Sequence, residues 1–289
     1  MLAVLSIIIP VFFVVLCGYI YALFEKPDMQ VINQMIMQLL TPALVFSVMS
    51  SKEFEIAIYS NLAMGAVAII LLTGLLSFFV AKIFHYEWKT LVPPMMFRNW
   101  GNLGIPLIVF AFGPDALNAA VILFLVGNVI HFTIGLVIVT GEFKFRSFLT
   151  TPIIIAMFLG LMINLAEIDL PLAFIRPVEM IGQAAIPMML VSLGVRLQFV
   201  QWNDFSMALL GSFLGPVVGV LAALLMAFLL NLDPLQSKQL MIFGALPPAV
   251  MNYIFAEKYN QQPEKVASIV LLSNFLSIFV YFFLLYIIL

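Results

Sequence analysis

Two clusters of polar residues interrupt otherwise apolar stretches of this 289-residue chain, and their types suit the binding of an anion. The first is RNWGNLGIP at 98–106, preceded by Pro93 and Pro94; the second is ALPPAVMN at 245–252. Arg98 offers a planar, permanently charged guanidinium able to hold a carboxylate at two points. Asn99, Asn102 and Asn252 supply amide donors and acceptors. Gly101 and Gly104 permit backbone geometries that other residues resist, while Pro106, Pro247 and Pro248 lack the amide donor that a continuous helix needs. Backbone opened in this way inside hydrocarbon survives only where protein buries it or water reaches it. Half-helix N-termini at such breaks carry about half an elementary positive charge each, which again suits an anion.

Each of these residues also has a plainer use. Asn99 and Asn102 could bond the carbonyls freed by a proline kink, Gly101 and Gly104 could serve helix contact, and Pro106 is a helix breaker first. Arg98 lies about ten residues, or about 15 Å, inside its apolar run; there it either meets a ligand, pairs with Glu179, or lines a vestibule. Asn128 and His131 could relay protons, or His131 could simply be packed. Asn274, with Ser273 and Ser277, either lines a site or forms interhelical hydrogen bonds. Neither an HExxH zinc motif nor a GxSxG nucleophile turn is present, and two His cannot build a His-rich metal site. An enzyme, a metal centre and a bound cofactor are therefore not expected.

Composition decides what must position these residues. Of the chain, 64% is apolar and 9% charged, against about 45–50% and about 25% in soluble domains. Twelve Lys and Arg with 14 Asp and Glu cannot cover a soluble fold of this size, so the bilayer must solvate most of the surface. A net charge of −2 leaves no basic face for nucleic acid. Cys17, the single cysteine, excludes intramolecular disulfides and thiolate clusters. Residues 2–24 carry neither a charged leader nor a cleavage pattern and read as a retained span. Apolar runs near 2–24, 29–50, 56–84, 88–112, 116–140, 148–166, 172–195, 205–230, 235–258 and 265–288 predict an all-α membrane protein with ten transmembrane helices.

Lys and Arg favour cytoplasmic connections. The odd-numbered connections carry Lys26, Lys82, Lys89, Lys144, Arg146, Arg196, Lys258 and Lys265; the even ones carry Lys52, Arg176 and Lys238. This asymmetry places both termini outside. The halves also repeat: a shift of 145 superposes Met35 on Met180, Gln38 on Gln183, Pro42 on Pro187, Phe54 on Phe199 and Gly74 on Gly219, and a shift of 149 superposes Lys89 on Lys238 and Pro114 on Pro263. Five spans per half is odd, so the halves, 1–146 and 147–289, are expected to be inverted repeats, a hallmark of secondary transporters whose site lies where discontinuous helices meet. The fourth and ninth helices carry those breaks.

At these residues the sequence resembles the auxin efflux carrier family, which includes plant auxin exporters and bacterial carriers of small organic acids. NWGNLGIPL (99–107), ALPPAVMNYIFAEKYN (245–260) and INQMIMQLLTPALVF (32–46) carry the resemblance, which covers essentially the whole chain. It implies a fold shared with bile-acid symporters and sodium/proton antiporters. Helices one, two, six and seven (about 1–51 and 147–200) would form a scaffold, often a homodimer. The rest (about 52–146 and 201–289) would form a transport domain that moves as an elevator, with Asn99 in a substrate-binding position and Pro106 at the first crossing. Where plant carriers have a second crossing Pro, this chain has Asn252, which suggests a crossing held by amide hydrogen bonds. GEFKFRSFL (141–149) replaces the long cytoplasmic loop of many plant members, so the chain looks like a minimal microbial carrier of the bacterial inner membrane.

The expected activity is secondary transport of a small organic anion, either a malate- or malonate-type carboxylate or an auxin-like indole carboxylate. A sodium- or proton-coupled symporter of another small solute, or an anion channel, are the alternatives. The expected partners are that solute, the lipid bilayer and a second copy of the chain.

Overall fold

The structure is a computed structural model that describes residues 1–25, 27–142, 145–197 and 205–289. Lys26 and Lys144 of the charge count and Phe199 of the repeat lie outside the described residues, as do 198–204 of the expected domain junction.

In hydrocarbon a backbone amide must find its acceptor within the protein, and the apolar runs accordingly form helices, which supply it locally. In chain order these are α1 (Leu2–Glu25), α2 (Met29–Met35), α3 (Thr41–Ser50), α4 (Ser60–Ile83), α5 (Trp88–Met96), α6 (Ile105–Phe112), α7 (Leu117–Ile130) and α8 (Leu136–Thr140). The second half contributes α9 (Phe145–Leu149), α10 (Pro152–Leu165), α11 (Leu172–Gln183), α12 (Ala185–Arg196), α13 (Phe205–Leu229), α14 (Pro234–Ala245), α15 (Met251–Lys258) and α16 (Pro263–Ile288). Three π-helical turns, Ile36–Leu40, Trp100–Gly104 and His131–Gly135, lead into α3, α6 and α8. There is no β-strand among the described residues.

Among the described residues seven helical runs are long and apolar enough to cross a bilayer on their own: Val4–Glu25, Met29–Ser50, Ile56–Ile83, Pro114–Thr140, Leu172–Arg196, Phe205–Leu229 and Pro263–Ile288. The other three expected spans differ for physical reasons. Pro152–Leu165 has 14 residues, about 21 Å of helix against a hydrocarbon core of about 30 Å. The runs 88–112 and 235–258 are each made of two helices with non-helical residues between. Pro93 and Pro94 do not themselves stop α5, which continues past them to Met96.

Polar residues at the ends of runs act as caps. Asp28 accepts from the Gln30 amide at 2.8 Å, and Asp233 accepts from Leu235 and Gln236 at 2.8 and 2.9 Å. Lys52 and Asp169 form an ion pair between two connections. Outward faces present Phe13, Phe79, Phe213 and Phe283 to the surroundings, while Val11, Val45, Leu62, Leu103 and Leu240 fill the interior. Between apolar helices in lipid, close backbone approach replaces the hydrophobic drive. Thus α1 and α12 touch through Gly18 and Gly194, and α13 and α14 through Gly219 and Gly244, where any Cβ would overlap the opposing backbone.

Candidate functional site

The helix ending at Met96 resumes at Trp100, and the one ending at Ala245 resumes at Met251. The stretches between them lie side by side and antiparallel, with an isolated β-bridge between Arg98 and Pro248. Asn99 N donates to Pro247 O at 2.7 Å, and Ala249 N donates to Phe97 O at 3.0 Å. Each interruption therefore supplies partners that the other lost, which is the accounting buried backbone requires.

Side chains brace this contact. Asn252 Nδ2 donates to Phe97 O at 2.7 Å and to Ala249 O at 2.8 Å. Asn274 Nδ2 donates to Pro248 O at 3.1 Å and Val270 O at 2.7 Å, while its Oδ1 accepts from Asn99 Nδ2 at 3.5 Å. Ser277 donates to Asn274 O at 2.6 Å, and the Ser212 and Ser273 hydroxyls pair at 3.0 Å. Arg98, 2% exposed, donates through Nη1 to Leu246 O and through Nη2 to Gly215 O, both at 2.8 Å. It forms no ion pair among the described residues, and Glu179 is exposed on α11. Arg98 is thus a strut between α13 and the second interruption, and its Nε has no hydrogen-bond partner among the described residues.

In front of this frame lies a cavity of about 110 Å³. Arg98, Asn99, Trp100, Gly101 and Asn102 line it from the first interruption, and Val250 and Met251 from the second. Asn128 and His131 reach it from the α7 side, Asn33 and Arg196 from α2 and α12. All three π-helical turns contribute lining residues, Met37, Gly101 and Phe132 among them. Such turns recur at functional sites because the widened helix re-aims side chains and frees amides. The first amides of a helix have no intrahelical acceptor, and here those of Gly101 and Asn102 belong to residues on the cavity wall. Among the described residues two guanidiniums and no Asp or Glu line the space, so its electrostatics favour an anion. Through Asn33, Arg196, Val250 and Ile254 it adjoins an outer cavity of about 1000 Å³ that also touches Asp28, Glu257 and Glu264.

Packing fixes the aromatic wall. Trp100 stacks on Phe243 at 5.3 Å between ring centroids and lies across Gly127, where a Cβ would collide with the indole. Its Nε1 is buried without a hydrogen-bond partner among the described residues. His131 stacks on Phe97 at 4.3 Å and meets the edge of Phe255 at 5.3 Å, so it is a packed ring that also borders the cavity.

The structure therefore brings Arg98, Asn99, Gly101, Asn102, Asn128 and His131 to one cavity. Asn252, Asn274 and Ser277 stand behind it as bracing. Pro247 and Pro248 form the extended stretch, Gly104 packs on Leu246, and Pro106 sits in the first turn of α6. Arg196 was not anticipated; in the sequence it reads as the first residue of the polar connection 196–204, yet it closes α12 and faces both cavities. The one signal was its position directly after the largely apolar stretch 184–195. Among the described residues no three His, Cys, Asp or Glu side chains gather to hold a metal.

Comparison with known proteins agrees with a transport role. A protein of Rhizobium meliloti named "Putative malonate transporter" is 23% identical over 303 residues, covering 96% of this chain and 93% of that protein. A Methanocaldococcus jannaschii protein named "Uncharacterized transporter MJ1031" is 22% identical over 300 residues, covering 96% of each. The family described as "Membrane transport protein" matches residues 3–145 and 139–285, nearly the whole length. The chain is a multi-pass membrane protein that belongs to this membrane transport protein family, the one to which its likeness to auxin efflux carriers pointed.

Proposed function

We propose that the protein is a secondary carrier for a small organic anion, a malonate- or malate-type carboxylate, which binds in the inner cavity. The observation that carries this reading is a wall with two guanidiniums, the starts of two helices and, among the described residues, no acidic side chain. A site of about 110 Å³ is small beside the roughly 300–1,000 Å³ of pockets for drug-sized ligands, which favours a short-chain acid over an indole carboxylate. The malonate assignment carried by the Rhizobium relative's name points the same way.

The architecture in this reading is ten membrane crossings in two inverted halves. Three crossings are then built from short or interrupted helices. Support comes from paired contacts: the 145-residue shift carries Val15 onto Gly160 and Met49 onto Gly194, and the contacts Gly194–Val15 and Gly160–Met49 are images of each other. Helix α1 packs chiefly on α12 and α3 on α10 and α11, as a separate scaffold would, while α13 packs on α4, α14 and α16. Movement of the second group past the first, an elevator, would carry the cavity across. The outer cavity reaches Pro27 and Pro263 in odd-numbered connections, so with both termini outside, this state opens to the cytoplasm.

Thermal stabilisation of purified protein tests the substrate class, because a ligand that binds only the native state stabilises it by about 2.7 kcal/mol at a hundred times its Kd. Malonate and malate are expected to raise the melting temperature in a saturable way. Stabilisation by organic cations alone would contradict the assignment. Repeating the series with and without sodium at two pH values reads the coupling ion.

A further inference from the structure

The two guanidiniums on the inner cavity wall are not equivalent. Arg98 has Nη1 and Nη2 committed to the carbonyls of Leu246 and Gly215. Among the described residues Arg196 commits only Nη2, to Asn33 Oδ1 at 2.5 Å, out of the five N–H groups a guanidinium carries. Its Nε is buried without a hydrogen-bond partner among the described residues, and it forms no ion pair there. Arg196 is partly buried, and guanidinium donors left unused beside a cavity suit an anion that enters it. Arg196 also occupies the junction, since it lines both the inner and the outer cavity.

We propose that Arg196, oriented by Asn33, is a second carboxylate-binding cation, so that the substrate is a dicarboxylate with one end at Arg196 and the other at the Gly101 and Asn102 amides beside Arg98. This rests on the organic-anion reading above and specifies it. Asn33 and Arg196 belong to α2 and α12, whereas the amide end belongs to the helix that starts at Trp100. A two-headed anion would therefore span two groups of helices, and a monocarboxylate would leave one end uncompensated. Selectivity for two charges over one follows from Arg196, not from the more deeply buried Arg98.

The test is binding of malonate and of propionate to the purified full chain at fixed ionic strength, for wild type, Arg196→Gln, Arg196→Lys and Asn33→Ala. Wild type is expected to bind malonate at least about tenfold tighter than propionate. Arg196→Gln should lose about tenfold to a hundredfold in malonate affinity, the range set by hydrogen bonds to a charged group, with propionate changed less than about threefold. Arg196→Lys should keep an intermediate preference for malonate, and Asn33→Ala should weaken malonate severalfold. A wild-type ratio retained in Arg196→Gln, or equal losses for both acids, would overturn the assignment and leave Arg196 as a helix-end cation. If Arg196→Gln fails to fold, unchanged ratios in Arg196→Lys and Asn33→Ala overturn it equally. Absence of carboxylate binding in the wild type would instead overturn the organic-anion reading, and this inference with it.

Discussion

Asn252 donates its side-chain amide to the carbonyl of Phe97 at 2.7 Å, so a side chain beyond one interruption fastens the other. The same nitrogen donates to Ala249 O at 2.8 Å, and Asn252 is 3% exposed. Removing a buried donor from two carbonyls costs about 1–3 kcal/mol. Asn252→Leu is therefore expected to lower the denaturation midpoint in detergent and to weaken ligand binding together. An unchanged midpoint would show that the main-chain bridge suffices.

Arg98 is predicted to hold the frame before it holds a ligand. Arg98→Met leaves the carbonyls of Leu246 and Gly215 without a donor, and hydrogen bonds to a charged group contribute about 1.5–3 kcal/mol each. The variant should melt well below wild type even without ligand. Normal melting with abolished binding would place the guanidinium's main work at the substrate instead.

Trp100→Phe keeps the stack on Phe243 and removes the N–H of a residue that lines the cavity. Its Nε1 is buried with no hydrogen-bond partner among the described residues, and a bound anion is expected to become its acceptor. We expect malonate affinity to fall by about tenfold, equivalent to about 1.4 kcal/mol, with melting in the absence of ligand nearly unchanged. Equal affinity in a binding titration would remove the indole from the site.

Gly127 has no room for a side chain, because the Trp100 ring occupies the place of its Cβ. Overpacking of this kind costs about 1–3 kcal/mol. Gly127→Ala should lower the melting midpoint, shift the indole fluorescence and reduce binding through displacement of the ring. A variant that matches wild type in all three would mean that α7 and the Trp100 turn separate easily.

The apolar runs and the two Pro/Gly clusters were legible in the sequence because a bilayer forces continuous helices and a break stands out against them. The run bounds 2–24, 29–50 and 265–288 fall within two residues of the helices Leu2–Glu25, Met29–Ser50 and Pro263–Ile288. Arg98 was conspicuous, but its partners were not: Gly215 and Leu246 are 117 and 148 residues away, and a main-chain carbonyl leaves no mark in composition. The π-helical turns were hidden as well, since Ile36–Leu40 and His131–Gly135 differ from α-helix by one residue of register rather than by residue type. Arg196 was obscured by its place at the edge of a polar connection, where a cation ordinarily faces water.

The most direct test is counterflow. Liposomes containing the purified protein and loaded with unlabelled malonate should accumulate external labelled malonate transiently above equilibrium, saturably, and Asn99→Ala should abolish the overshoot. Only a carrier that returns with its site occupied produces that overshoot. Flux that rises without saturation, or uptake of organic cations with none of any carboxylate, would contradict an anion carrier.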